Sequence, residues 1–327
     1  MTWCSPAVTA WPRAPSHRPA RCRCATATRP PEETRKKIRE IRELTDKPFG
    51  INVSLLRPFS KENAEVALEE KVPIVNYALG KGDWIIKAAH EYGGKVMSTV
   101  ATERHAHRAE LDGVDAIVIT GHEAAAHGAE PGSLVLIPQI AGLINVPLIA
   151  AGGFCDGKGL AAALALGADA ISMGTRFLLA RESEVHQNLK ESALKATIED
   201  TIYSEKIDGL PGRFLKTRVA EEMAKGKTPL LQAISSGLRL RKMVEVPFFK
   251  LILSGFKERG VTDLARQAVS LDTLGIAIET GDLDRGVLPL GQVAGRISDL
   301  PTCQEIIERT VAEAQEVIES IRKTIAS

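Results

Sequence analysis

The chain has 327 residues, 44% hydrophobic and 25% charged, with 42 basic and 41 acidic side chains and a formal net charge of +1. This is globular composition with enough apolar material for one large core or two modest ones, and it has no overall basic footprint for nucleic acid or anionic lipid. Five cysteines, Cys4, Cys22, Cys24, Cys155 and Cys303, are too few, too scattered and odd in number for a disulfide framework, so a reducing cytoplasm is the default compartment.

Residues 1–31 hold five arginines, six prolines, three cysteines and no acid, and show no strand pattern. From Pro31 a rhythm sets in. PEETRKKIREIRELTD, with proline and acids in its first turn, is a predicted helix and leads into the strand PFGINVS. Helix KENAEVALEE, strand VPIVNYA, helix DWIIKAAHEYG, strand KVMSTV, helix ERHAHRAELDG and strand DAIVIT follow. The strand runs are short, β-branched and not alternating in polarity, as expected of strands buried on both faces of a parallel sheet.

The loop GHEAAAHG, residues 121–128, comes next. It is near the zinc motif HExxH, but His122 and His127 are five apart and on a helix would point roughly 140° away from each other, which disfavours a shared metal. Residues 134–153, LVLIPQIAGLINVPLIAAGG, run without a charge for about the length of a bilayer span. Pro138, Gln139, Asn145 and Pro147 cut that run into a helix near 133–144 and the strand VPLIAAGG, so it is read as buried soluble structure. Helix GKGLAAALALG and strand DAISMGT complete the repeat.

Six βα repeats imply a parallel α/β protein, either a barrel or a doubly wound sheet. Ligand-like residues recur at the carboxyl ends of many strands, at Asn52, Thr99, Thr120 to His127, Gly152 and Gly153, and Gly174 and Thr175. That distribution favours a barrel, because an open sheet gathers them at one switch point. The glycine-bearing ends AAGGF, residues 150–154, and MGTRF, residues 173–177, let backbone amides approach a phosphate closely, with a threonine hydroxyl as a further donor. The alternative is that these glycines only relieve turns, and their pairing on successive strands favours phosphate binding.

Beyond residue 181 the repeat stops. A mixed segment to about residue 295 contains the basic run GLRLRK, read as a solvated face, and GDLDRGVLPLGQVAG, and an amphipathic helix closes the chain from Thr302 to about Ala326. The expected division is an atypical, poorly ordered segment over 1–31, a barrel over 32–180 and 296–327, and a cap over 181–295.

AAGGFCDGKGLAAALALGADAISMGTRFLLARESEVH, with GHEAAAHG, LVLIPQI and TDKPFGINV before it, resembles the FMN-dependent nitronate monooxygenases and the related enoyl-acyl-carrier-protein reductase II. The resemblance implies a TIM-type (β/α)8 barrel with FMN at its mouth and His127 as the catalytic histidine. It implies that Asn52 contacts the flavin, that Gly152, Gly153, Gly174 and Thr175 hold its phosphate, that Thr120, Ala125, Ser172 and Met173 complete the cofactor set, and that Gln292 and Gly295 approach from the cap. Ala125 and Ala126 stand where the family often has glycines, and Thr120 where it often has glutamine or glutamate. The family's first two βα units are missing from residues 1–31. A transit peptide, a disordered tail and a shortened start compete there; the last is preferred, giving a barrel short of one strand with a damaged second.

The expected reaction is oxidation of alkyl nitronates by oxygen, giving a carbonyl compound and nitrite. The alternative is reduction of an enoyl thioester by NAD(P)H, although no strand-linked GxGxxG identifies a nicotinamide site. A third reading is a flavin-free remnant without turnover. The expected partners are the small-molecule substrate and a second copy in a homodimer, with no nucleic acid, membrane or metal. His105 and His107 are read as solvent-exposed, and His122 as structural.

Overall fold

The computed structural model describes residues 8–10, 30–56, 59–125, 127–226 and 261–327. Cys4, Cys22, Cys24, Ala126 and the GLRLRK run lie outside the described residues. The chain divides into two compact units, one of residues 2–124, 129–184 and 299–327, the other of residues 125–128 and 185–298.

In the first unit, β1 (Val8–Ala10) is followed by α1 (Pro31–Leu44), β2 (Gly50–Ser54), α2 (Ser60–Glu69), β3 (Ile74–Ala78), α3 (Asp83–Glu91) and β4 (Lys95–Val100). Then come α4 (Glu103–Leu111), β5 (Ala116–Thr120), α5 (Ser133–Ala141), β6 (Leu148–Ala151), α6 (Gly157–Ala165), β7 (Ala170–Met173) and the short α7 (Thr175–Leu178). The strands form one sheet in the order β1-β7-β6-β5-β4-β3-β2. Strands β2 to β7 pair in parallel in sequence order, so the predicted βα rhythm is realised as a half-barrel of six parallel strands.

Among the described residues the sheet does not close on itself. Its two ends are β2 and β1, and β1 pairs antiparallel with β7, with Thr9 opposite Ser172. No strand was expected in residues 1–31; three residues give too short a run to carry a pattern, but they cover the edge backbone of β7.

Side chains alternate across each strand. Ile51, Val53, Val75, Tyr77, Val96, Ile117, Ile119, Leu148, Ala150, Ile171 and Met173 face the helices and join the main core. Met97, Ala116, Val118, Ile149, Ala151 and Ala170 face the other way and form a small apolar cluster of their own. Asn52, Asn76, Thr99, Thr120 and Ser172 share the parity of that second face, so the polar residues are gathered on the concave side.

The closing helix α11 (Cys303–Ala326) begins at Thr302, whose side chain accepts from Glu305 N while Glu305 returns a bond to the Thr302 backbone, a complete capping box. It packs along α6, and its Glu313 carboxylate accepts the Gly157 amide at 2.7 Å, satisfying a donor at the open end of that helix.

In the second unit, α8 (Gln187–Lys195) precedes the antiparallel hairpin of β8 (Thr201–Ser204) and β9 (Gly212–Leu215). α9 (Arg218–Ala224), α10 (Val261–Thr280) and a 3-10 turn at Gln292–Arg296 follow. Ile207, Phe214, Ala220, Met223, Val269 and Val287 make its core. No described helix of the chain is long and apolar enough to cross a membrane.

Candidate functional site

On the concave face of the half-barrel the middles of β2 and β3 and the end of β4 carry a linked set of amides and a hydroxyl. Asn76 Nδ2 donates to Asn52 Oδ1 at 2.7 Å and to Thr99 Oγ1 at 2.8 Å, which uses both of its hydrogens. Asn52 Nδ2 has no partner among the described residues, so the array fixes Asn52 with two donors to offer. Asn76 was not read from the sequence as a site residue, although its place in VPIVNYA, one residue off the apolar parity of its strand, is a signal for it.

Further along the sheet, Thr120, Ala151 and Ser172 stand in cross-strand register on the same face, with Thr120 and Ser172 buried. Met173 is the next residue on β7 and points the opposite way, 2% exposed in the main core, so only its backbone faces the strand end. With every residue of β7 buried, a run as short as AISM hides this alternation in the sequence.

The two glycine-bearing strand ends differ physically. Gly152 and Gly153 have φ of +98° and +83°, values that side chains rarely adopt. A Cβ on Gly152 would also lie 3.1 Å from the Gly121 carbonyl oxygen and 3.2 Å from Ala124 N, so the turn needs glycine for its own packing. Gly174 has an ordinary φ of −88° and caps α7, and a Cβ there would meet no protein atom within 4 Å. Neither backbone strain nor a neighbour demands glycine at 174, where the strand end is left open. Thr175 beside it is buried. This fits a phosphate-bearing cofactor.

The loop after β5 is stapled to this turn. Both carboxylate oxygens of Glu123 lie 3.0 Å from the Ser133 amide, where α5 begins, placing negative charge at the positive end of that helix. The Ser133 hydroxyl hydrogen is shared between Glu123 Oε2, at 2.8 Å, and the Gly152 carbonyl oxygen, at 2.9 Å. His122 lies in the same loop, half-buried, with its amide donating to Pro131 O at 3.0 Å.

Ala125 and His127 belong to the second unit. Ala125 is half-buried. His127 Nε2 is 2.8 Å from Asp208 Oδ2, and their side chains are 17% and 6% exposed. Asp208 lies in the connection between β8 and β9, and Tyr203 of β8 donates to the Gly128 carbonyl oxygen at 3.4 Å, so one hairpin holds the loop at two neighbouring points. Beneath the tyrosine, the buried Arg213 guanidinium lies 5.5 Å from its ring centroid. Asp208 was missed from sequence, because a single aspartate 81 residues from the histidine carries no local signal. Gln292 is half-buried at the start of the 3-10 turn. A Cβ on Gly295 would lie 2.2 Å from Ile198 N, so this glycine serves packing within the second unit. Among the described residues no group of three or more His, Cys, Asp or Glu is placed to hold a metal ion.

The chain is similar to known proteins over most of its length. Residues 59–313 match the family model described as nitronate monooxygenase. The chain is 32% identical over 300 residues to (3aS,4S,5R,7aS)-5-hydroxy-7a-methyl-1-oxo-octahydro-1H-indene-4-carboxyl-CoA dehydrogenase of Mycobacterium tuberculosis, covering 89% of this chain and 84% of that protein. A probable nitronate monooxygenase of Staphylococcus aureus is 26% identical over 239 residues, covering 59% of this chain and 67% of that protein. The solved structure of FabK from Thermotoga maritima superposes with a TM-score of 0.75 at 34% identity, covering 90% of this chain and 85% of that one.

Proposed function

The chain belongs to the nitronate monooxygenase family, whose members are flavin-dependent oxidoreductases, and from that premise we propose that it uses FMN to move two electrons to or from a thioester-linked carbon substrate. The observation that carries the substrate class is the extent of likeness. The carboxyl-CoA dehydrogenase matches along 84% of its length at 32% identity, whereas the probable nitronate monooxygenase matches over 67% of its length at 26%. FMN, when bound, supplies the two-electron acceptor and donor.

The chain's own residues have distinct tasks. The open face at Gly174, with the Thr175 hydroxyl and the turn at Gly152 and Gly153, receives the phosphate. Asn52, its amide fixed by Asn76, offers its Nδ2 hydrogens to the flavin ring. His127 takes or returns the proton at the carbon next to the activating carbonyl, a task suited to an imidazole, whose two ring nitrogens can accept and donate protons. A thioester α-carbon and a nitroalkane α-carbon are both carbon acids, so the same histidine serves a second reading, in which a neutral nitroalkane loses its proton and the resulting alkyl nitronate is oxidised by oxygen. That reading is supported by the match to the family model over residues 59–313.

The test is anaerobic bleaching of protein-bound flavin near 450 nm by acyl-CoA thioesters, by propane-2-nitronate and by NAD(P)H. Bleaching by a thioester supports the proposal. Bleaching by nitronate with none by any thioester replaces it with the second reading, and a chain that retains no flavin overturns both.

A further inference from the structure

Asp208 uses its two carboxylate oxygens differently. Oδ1 accepts the amide of Leu210 at 3.2 Å, closing the turn between β8 and β9, and Oδ2 faces His127 Nε2 at 2.8 Å. An ionised carboxylate only accepts hydrogen bonds, so the ring nitrogen that faces it carries the proton. His127 Nδ1, with no partner among the described residues, then presents a lone pair. The Tyr203 bond to the neighbouring Gly128 carbonyl anchors the backbone beside the ring, so imidazole and carboxylate are held by the same hairpin.

We propose that Asp208 is the positioning residue of His127, holding it as the Nε2–H tautomer so that Nδ1 is the atom that exchanges a proton with the substrate carbon. The inference rests on the assignment of His127 as the acid/base group. In the step concerned, the C–H bond breaks, its electron pair stays on the carbon beside the activating group, and a new N–H bond forms at Nδ1. The resulting imidazolium is paired with the Asp208 carboxylate, which is not itself protonated. Closing the turn does not explain the arrangement, because the Leu210 bond uses Oδ1 alone and leaves Oδ2 to the histidine.

Asp208→Asn separates the two tasks. The asparagine oxygen keeps the Leu210 bond, while its Nδ2–H faces the ring and obliges Nε2 to accept, moving the histidine proton to Nδ1. In the full-length FMN-loaded chain labelled with 15N-histidine, the His127 signals are identified by their loss in His127→Ala. In the unsubstituted chain Nε2 should be of the protonated type and Nδ1 of the unprotonated type at neutral pH, and Asp208→Asn should exchange them. Turnover requiring proton removal should fall by up to about 10⁴-fold, the loss known for asparagine in place of aspartate beside a catalytic histidine, and Asp208→Glu should recover part of it.

A protonated Nδ1 in the unsubstituted chain overturns the proposal without any variant, as does Asp208→Asn with an unchanged tautomer and unchanged turnover. If the tautomers exchange as stated but the unsubstituted chain turns over neither thioester nor nitroalkane, the positioning role stands and the functional reading falls.

Discussion

Substituting alanine at the two kinds of strand-end glycine separates folding from cofactor binding. At Gly152 an alanine must adopt φ near +98° and place its Cβ 3.1 Å from the Gly121 carbonyl oxygen and 3.2 Å from Ala124 N and Ala124 Cβ. Most of those neighbours are backbone atoms, which give way only by shifting the loop that begins at Gly121. Strain of about 1–3 kcal/mol for the dihedral plus the crowding amounts to about 3 kcal/mol, or about 6–12 °C in melting temperature for a unit of this size. At Gly174 the φ of −88° suits alanine and no protein atom lies within 4 Å of the added Cβ. The flavin-free Gly174→Ala chain should therefore melt within a few degrees of the original. Its methyl instead occupies the space through which the phosphate reaches the backbone, and the FMN dissociation constant should rise at least about tenfold, about 1.4 kcal/mol. The assay is a thermal melt of each flavin-free chain beside a titration that follows quenching of FMN fluorescence. Gly174→Ala with unchanged FMN affinity would refute the phosphate assignment, and Gly152→Ala with an unchanged melt would refute the strain argument.

Further outcomes follow from other groups. His127→Ala should lose turnover with substrates that must give up a proton, while His122→Ala keeps most of it; steady-state rates compare the two, and equal losses would show that the wrong histidine has been assigned. Glu123→Ala removes the acceptor for the Ser133 amide and hydroxyl and should cost about 1–3 kcal/mol of stability by denaturant titration. Burial alone raises the Asp115 carboxyl, but bonds from the Lys95 ammonium, the Val96 amide and the His90 ring outweigh it and hold the group below the usual carboxylate range. Its stabilisation is thus present above the unfolded value of about 3.9 and lost as pH falls through the lower folded value. Asp115→Asn should cost about 1–2 kcal/mol at pH 7, and melts repeated down to pH 3 should show that gap closing.

Much of the architecture could be read from residue order because each βα unit is local. The helices over 31–44 and 303–326 announce their starts with Pro31 and with the Thr302 and Glu305 box, and β2 to β7 lie where the β-branched runs place them. What escaped detection depends on distant partners. β1 is three residues long and exists as a strand through pairing with β7, more than 150 positions away. The inward turn of Ser172 and outward turn of Met173 are indistinguishable in a run such as AISM until the register is known. Gly152 and Gly174 look alike in sequence, and only their dihedrals and neighbours separate a glycine the turn requires from one that leaves room for a ligand. The Asp208 carboxylate reaches His127 through the fold of a hairpin, and the Asn52 amide is oriented by a residue on the next strand.

That a half-barrel with an antiparallel strand at its β7 edge still functions as a flavoprotein is tested most directly by the visible spectrum of the purified full-length chain, incubated with FMN and then desalted. Flavin bands retained at about one equivalent per chain are the expected result. A chain that unfolds cooperatively on heating yet passes through the column colourless would contradict it, leaving the Gly174 opening and His127 without the cofactor they are proposed to serve.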